Sequence, residues 1–145
     1  MPRKKRLARR RPEMLVRLID ITAVVAAVSV GVVQQGRDEP YASTHGRLEL
    51  TGTMNEPVRD TRNVEMCSIR LGETTLGTDP TPWIGLINGV RPVLRPAVLI
   101  SHREFDRVWA LALSGLLKHA HMVLTPPRYQ SAYVVSISFS THVEE

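Results

Sequence analysis

The sequence predicts a small α+β domain in which an antiparallel sheet of about five to six strands, with a sandwich as one arrangement, carries one amphipathic helix packed on it. This domain is expected behind an N-terminal segment that is first basic and then apolar. Three observations support this fold class. Apolar and polar residues alternate with a period of two in several stretches, one stretch has helical periodicity, and ten prolines with nine glycines favour turns over long helices.

The positive charge of the chain is concentrated near its N-terminus. Residues 1–17 contain eight lysines and arginines against Glu13 alone. They therefore carry a net charge of +7, and the rest of the chain is slightly acidic although the whole is +5. A folded domain that binds nucleic acid normally shows clustered basic residues of its own. We therefore expect residues 1–13 to be a basic disordered tail and do not expect nucleic acid as a partner of the folded domain.

The next segment is apolar, and residues 21–33 contain no charge. An uncharged stretch directly after a basic block is typical of a targeting segment. Residues 14–33 are therefore predicted to form an apolar helix that acts as a membrane anchor or signal, although Arg17 and Asp20 weaken a complete span. The basic flank would keep the N-terminus in the cytoplasm, which gives a single-pass membrane protein. The alternative is a cytoplasmic protein.

Residues 34–41 are polar and rich in turn formers, which predicts a linker before a single α+β domain at 42–145. The alternation around Leu48 and Leu50 predicts the first strand of that domain. A second strand is expected at 62–71, and the switch of its apolar parity indicates a bulge or an edge strand.

The pair Asn88-Gly89 separates two short apolar runs, at 83–87 and 93–100, and favours a hairpin between them. Pro92 and Pro96 would restrict the second run to an edge or irregular strand, because proline cannot donate a ladder hydrogen bond.

The best local signal marks a helix. Ser101 and Glu104 form a capping box that predicts the helix start, and Gly115 predicts its end. Six residues at three- and four-residue spacing form its apolar stripe: Phe105, Val108, Trp109, Ala112, Leu113 and Leu116.

Two alternating strands are predicted after the helix, joined by a loop at 125–130 that contains two prolines. The expected buried faces are Ala120, Met122 and Leu124 on the first strand, and Tyr133, Val135, Ile137 and Phe139 on the second.

Candidate chemistry is sparse. His119 and His121 share one face of a strand, but no third ligand is evident, so no metal or other cofactor is expected. His102 and Asp106 lie four residues apart on the helix and need a nucleophile such as Ser114 or Cys67 to form a catalytic set. Because nothing in the sequence brings these groups together, we assign no catalytic residue.

The preferred hypothesis is a non-enzymatic protein-binding or scaffold domain, tethered to a membrane through residues 14–33. Arg128 and Tyr129 are the candidate contacts for an unidentified protein partner, because a cation and an aromatic ring on a proline-rich loop are enriched at binding hot spots. The alternatives are a small soluble enzyme of unidentified chemistry and a cytoplasmic protein whose basic tail binds nucleic acid.

Overall fold

The computed structural model describes residues 14–34, 36–56, 65–74, 83–90, 92–128 and 131–141. Within these ranges the chain forms strands and one helix in the following order: β1 Leu15–Val33, β2 Tyr41–Met54, β3 Met66–Thr74, β4 Gly85–Ile87, β5 Pro96–Ser101, α1 His102–Leu113, β6 His119–Leu124 and β7 Ala132–Ser140.

The strands form one closed barrel in the order β1-β2-β3-β5-β4-β7-β6. The barrel closes where Leu15–Asp20 of β1 pair with His119–Leu124 of β6. All neighbouring strands are antiparallel except β3 and β5, which are parallel. The predicted α+β fold, an antiparallel sheet of five to six strands with a helix packed on it, is therefore wrong. The chain is mostly β, with seven strands in one mixed sheet and a single short helix among the described residues.

The predicted apolar helix at 14–33 is also wrong, because Leu15–Val33 is the strand β1. Val, Ile and Thr recur through this segment, and their branched side chains suit a pleated strand better than a helix. No helix in the described part of the chain is long and apolar enough to cross a membrane, so the interpretation as a transmembrane helix or signal-anchor is not supported. The predicted tail at 1–13 lies outside the described residues.

The core lies inside the barrel. Strand residues that point inward alternate with more accessible ones, as Leu48 and Leu50 do on β2. β1 contributes the fully buried Ile19 to this core. The turn around Gly36, in the segment predicted to be a linker, therefore connects two strands of the same barrel. The fully buried large side chains are Ile19, Leu48, Leu50, Ile69, Leu71, Ile87, Leu94, Met122, Leu124, Val98 and Val134.

The helix α1 begins and ends where the sequence predicts. The hydroxyl of Ser101 accepts a hydrogen bond from the backbone N–H of Glu104 at 3.3 Å, and Gly115 has a positive φ of 76° just after the last turn. Phe105, Val108 and Ala112 are buried, whereas the predicted stripe members Leu113 and Leu116 are exposed. The buried face is therefore narrower than the sequence pattern suggests.

β4 and β5 pair in antiparallel fashion, as expected, but with Ile87 opposite Pro96, so their connection is longer than a two-residue turn. The N–H of Arg95 donates to the carbonyl of Gly89 within it. β5 is not an edge strand, because β3 flanks it on its other side. Pro96 is tolerated there since it is the first residue of the strand.

The hairpin between β6 and β7 forms as predicted, and Ala120, Met122 and Leu124 are buried on β6. The predicted face of β7 is wrong in its first half. Ala132 and Val134 are buried there, while Tyr133 is 38% exposed. A register shift pairs Val123 with Ser136 but Leu124 with Val134. This bulge exchanges the two faces, and Ile137 and Phe139 pack against the core only beyond it.

Candidate functional site

A groove of about 860 Å³ lies on the outer face of the barrel. It crosses five neighbouring strands, from β1 to β4, at one level of the sheet. Register places Ala27, Arg47, Gly72 and Leu99 in a row across β1, β2, β3 and β5. We call this feature the outer groove. Its lining also includes Ser29, His45, Arg70, Glu73, Trp83, Ile84, Leu86 and Ala97.

The outer groove exists because each of these strands buries its alternate residues inside the barrel. Leu48, Leu71 and Val98 point into the core, so the residues next to them face outward. Gly72 leaves space at the bottom of the outer groove because it has no side chain, and a Cβ at this position would lie 2.9 Å from Cδ2 of Leu99.

An aromatic pair fixes one end of the outer groove. Trp83 stacks on Tyr133 with the ring centroids 4.1 Å apart and the planes 22° from parallel. Stacking of this kind holds both rings in place. Ile84 and Leu86 continue the same apolar wall.

The charge of the groove is positive. Arg47 and Arg70 are exposed, and neither guanidinium lies within ion-pair distance of an acidic group in the described part of the chain. Glu49 lies opposite Arg70 across β2 and β3, but its Oε1 accepts a hydrogen bond from the Ser68 hydroxyl at 3.0 Å. A smaller pocket of about 190 Å³ shares Arg70 and Ala97 with the groove and is also lined by Arg95 and Glu49.

Glu73 is the acidic residue that lines the outer groove, and its carboxylate is already engaged. Its Oε1 accepts from the backbone N–H of Gly46 at 3.4 Å, and its Oε2 lies 3.4 Å from Nδ1 of His102. The side chain is only 13% exposed. The exposed charges available to a ligand are therefore mainly those of the arginines.

The residues considered for catalysis are not assembled. His102 contacts Glu73 rather than Asp106, and both helix residues are exposed. The hydroxyl of Ser114 donates to the carbonyl of Leu111 at the end of α1. Cys67 is buried in the barrel, and burial raises the pKa of its thiol to about 12. A buried thiol of this kind is a poor nucleophile.

His119 and His121 lie on the outer side of β6. Nδ1 of His119 is 2.8 Å from Oδ1 of Asp20 on β1, a contact between the two strands that close the barrel, although its geometry is not that of a hydrogen bond. No group of three histidine, cysteine or acidic residues placed to hold a metal ion occurs in the described ranges.

Arg128 is exposed, and its backbone exchanges hydrogen bonds with that of Ser131 at 2.7 and 3.1 Å. Tyr129, the other predicted contact, lies outside the described residues. Arg128 does not line the outer groove. Sequence reasoning missed Arg47, Arg70 and Trp83, because only the strand register brings them together.

No known protein family, curated protein or solved structure matches this chain.

Proposed function

We propose that this protein is a non-enzymatic protein-binding domain whose outer groove accepts an extended segment of a partner protein that carries both acidic and apolar side chains. The observation that supports this function best is the placement of two guanidinium groups, on Arg47 and Arg70, beside the exposed apolar side chains of Leu86 and Leu99. Neither guanidinium has an ion-pair partner among the described residues.

The dimensions suit an extended peptide. The groove spans four gaps between strands, which at about 4.8 Å each give about 19 Å. A polypeptide in extended conformation covers that distance with about six residues. Alternate side chains of such a segment point in opposite directions, so carboxylates and apolar groups can reach different parts of the groove.

The energetic contributions are divided between two kinds of contact. Arginine binds carboxylates through charge-assisted, often bidentate hydrogen bonds. The apolar residues of the wall add burial at about 25 cal/mol per Å². Removal of one guanidinium is expected to weaken binding about tenfold, which corresponds to about 1.4 kcal/mol.

The test is fluorescence anisotropy of the full chain with three fluorescein-labelled decapeptides. One peptide alternates leucine and glutamate, the second alternates leucine and lysine, and the third alternates serine and glutamate. We expect the first to bind most tightly, because it alone supplies both the carboxylates and the apolar groups. Equal binding of all three peptides, or none by the first, would refute the proposal.

Variants then locate the binding site. Arg47→Gln and Arg70→Gln should each weaken the leucine-glutamate peptide about tenfold. Arg103→Gln is the matched control, because Arg103 is an exposed arginine on α1 outside the groove. If the control loses as much affinity as the groove variants, the peptide responds to net charge alone, and the outer groove is not the site.

A further inference from the structure

The strands β1 and β2 extend beyond the barrel as a two-stranded arm. They stay paired as far as Val33 opposite Tyr41. β6 pairs with β1 only up to Asp20, where the carbonyl of Lys118 accepts the last hydrogen bond, from Ile21. From Ala23 to Val33, β1 therefore has one strand neighbour, β2, among the described residues. We call this segment the open β1 edge.

In an antiparallel strand, the backbone N–H and C=O groups of every second residue point away from a given neighbouring strand. Along the open β1 edge, a row of these groups is therefore directed away from β2. Such groups are a template for another strand. Proteins usually protect an edge with lysine, proline or an inward-pointing charge. The open β1 edge contains none of these, and residues 21–33 carry no charge.

Its side chains are apolar and exposed. Val28, Val30 and Val32 are 56%, 71% and 74% exposed, and they lie on the same face of β1 as Val24 and Ala26. All three of these valines are therefore in contact with solvent. Exposed apolar groups on an unprotected edge favour burial against another apolar strand.

We propose that two copies of this chain pair through their open β1 edges, antiparallel and with a two-fold axis at Val28. Val28 is the midpoint of the segment from Ala23 to Val33, so this register pairs the whole edge. It places Val24, Ala26 and Val28 opposite Val32, Val30 and Val28 of the second copy. An antiparallel strand pair is self-complementary, as a two-fold interface requires.

A second copy suits this edge better than a charged partner, because the paired segment is uncharged in both copies. Arg47 is the described basic residue nearest to Val28, because it lies opposite Ala27 on β2, one strand behind the open edge. In the dimer the Arg47 residues of the two copies would be separated by three strand spacings, about 14 Å. Repulsion between these basic groups is therefore largely screened at physiological ionic strength. The open β1 edge includes Ala27 and Ser29, which also line the outer groove, but the pairing does not depend on the function proposed for the groove.

The expected dimer is weak. About eleven residues per copy form a strip about 36 Å long and about 10 Å tall, which buries about 700 Å² in total. This area is below the roughly 1,200 Å² of standard stable interfaces. The pair makes on the order of ten backbone hydrogen bonds, as many as a typical interface. An interface of this size is typical of weak, transient association, so we expect a dissociation constant of roughly micromolar order or weaker.

Sedimentation equilibrium of the full chain from about 1 µM to about 500 µM covers this range. Val28→Lys places two like charges opposite each other at the two-fold axis and should weaken the dimer at least tenfold. Val16→Lys is the control, because Val16 is exposed on the same strand where β6 already pairs. A wild-type monomer at every concentration would overturn the proposal, as would equal effects of the two lysine variants.

Cross-linking tests the register. With Val28→Cys the two new thiols face each other across antiparallel strands, at a spacing that permits a disulfide. Oxidation should therefore yield a covalent dimer on a non-reducing gel. Val16→Cys should remain monomeric, and buried Cys67 does not interfere. Equal cross-linking of both variants, or none with Val28→Cys, would contradict pairing centred on Val28.

Discussion

The closest backbone approach between β1 and β2 provides a sharp test of the barrel. Gly52 of β2 lies opposite Ile21, next to the register shift in β1 between Ile21 and Ala23. A Cβ at position 52 would overlap the carbonyl oxygen of Asp20 and lie 2.7 Å from its carbonyl carbon. These are backbone atoms, so rotation of a side chain cannot relieve the overlap. We expect Gly52→Ala to displace β1.

The displacement would disturb the seam of the barrel. Asp20 contacts His119 at 2.8 Å, and the N–H of Ile21 donates to the carbonyl of Lys118 at 2.9 Å. Overpacking ordinarily costs about 1–3 kcal/mol. Because backbone must move and the seam moves with it, we expect Gly52→Ala to lower the free energy of unfolding by about 3 kcal/mol, which in a chain of this size is a fall in Tm of roughly 10 °C.

Urea unfolding followed by the fluorescence of Trp83 and Trp109 measures this change. Gly31→Ala is the control, since a Cβ at Gly31 would meet no atom within 4 Å. It should alter stability by less than about 0.5 kcal/mol. A Gly52→Ala variant with the stability of the wild type and an unchanged m-value would refute the close approach of β1 to β2.

Three further outcomes are expected. Cys67 should not react with a thiol reagent at pH 8 until the chain unfolds, because its folded pKa is about 12. For the same reason the wild type should lose stability relative to Cys67→Ala as pH rises from about 9 toward 12, where only the unfolded thiol ionises; an unchanged difference in urea melts would contradict this. Ser101→Ala should lower the free energy of unfolding by about 1 kcal/mol through loss of the helix cap, whereas Ser101→Asp should keep most of that stabilisation. Equal melting temperatures of the two variants would contradict the cap. Gly46→Ala should destabilise by about 1–3 kcal/mol, since its Cβ would lie 2.6 Å from the Phe105 ring, and Phe105→Leu in the same chain should recover part of that loss in a double-mutant cycle.

Local signals in the sequence predicted local structure well. The helix cap, in which the N–H of Glu104 donates to the Ser101 hydroxyl, is a contact within one turn, and the hairpin between β6 and β7 joins neighbouring strands. Both depend on residues close in sequence, where spacing and turn chemistry decide the geometry.

Long-range pairing could not be predicted in the same way. An uncharged run rich in valine and alanine is compatible with both an apolar helix and a strand, and partners distant in sequence make β1 a strand. The outer groove depends on register among β2, β3 and β5, so the proximity of Arg47, Arg70 and Leu99 has no counterpart in sequence spacing. The bulge that exchanges the faces of β7 likewise results from its pairing with β6.

Closure of the barrel also has a consequence for synthesis of the chain. Leu15–Asp20 pair with His119–Leu124, so the strand that closes the barrel emerges about 100 residues after the strand it must meet. Translation adds about 5–20 residues per second, so β6 is synthesised roughly 5–20 seconds after β1. During that interval neither Leu15–Asp20 nor the open β1 edge is paired on the side of β1 that faces away from β2. Refolding at high protein concentration should therefore favour strand pairing between chains. Slow synthesis, which releases one chain at a time, should favour the closed barrel.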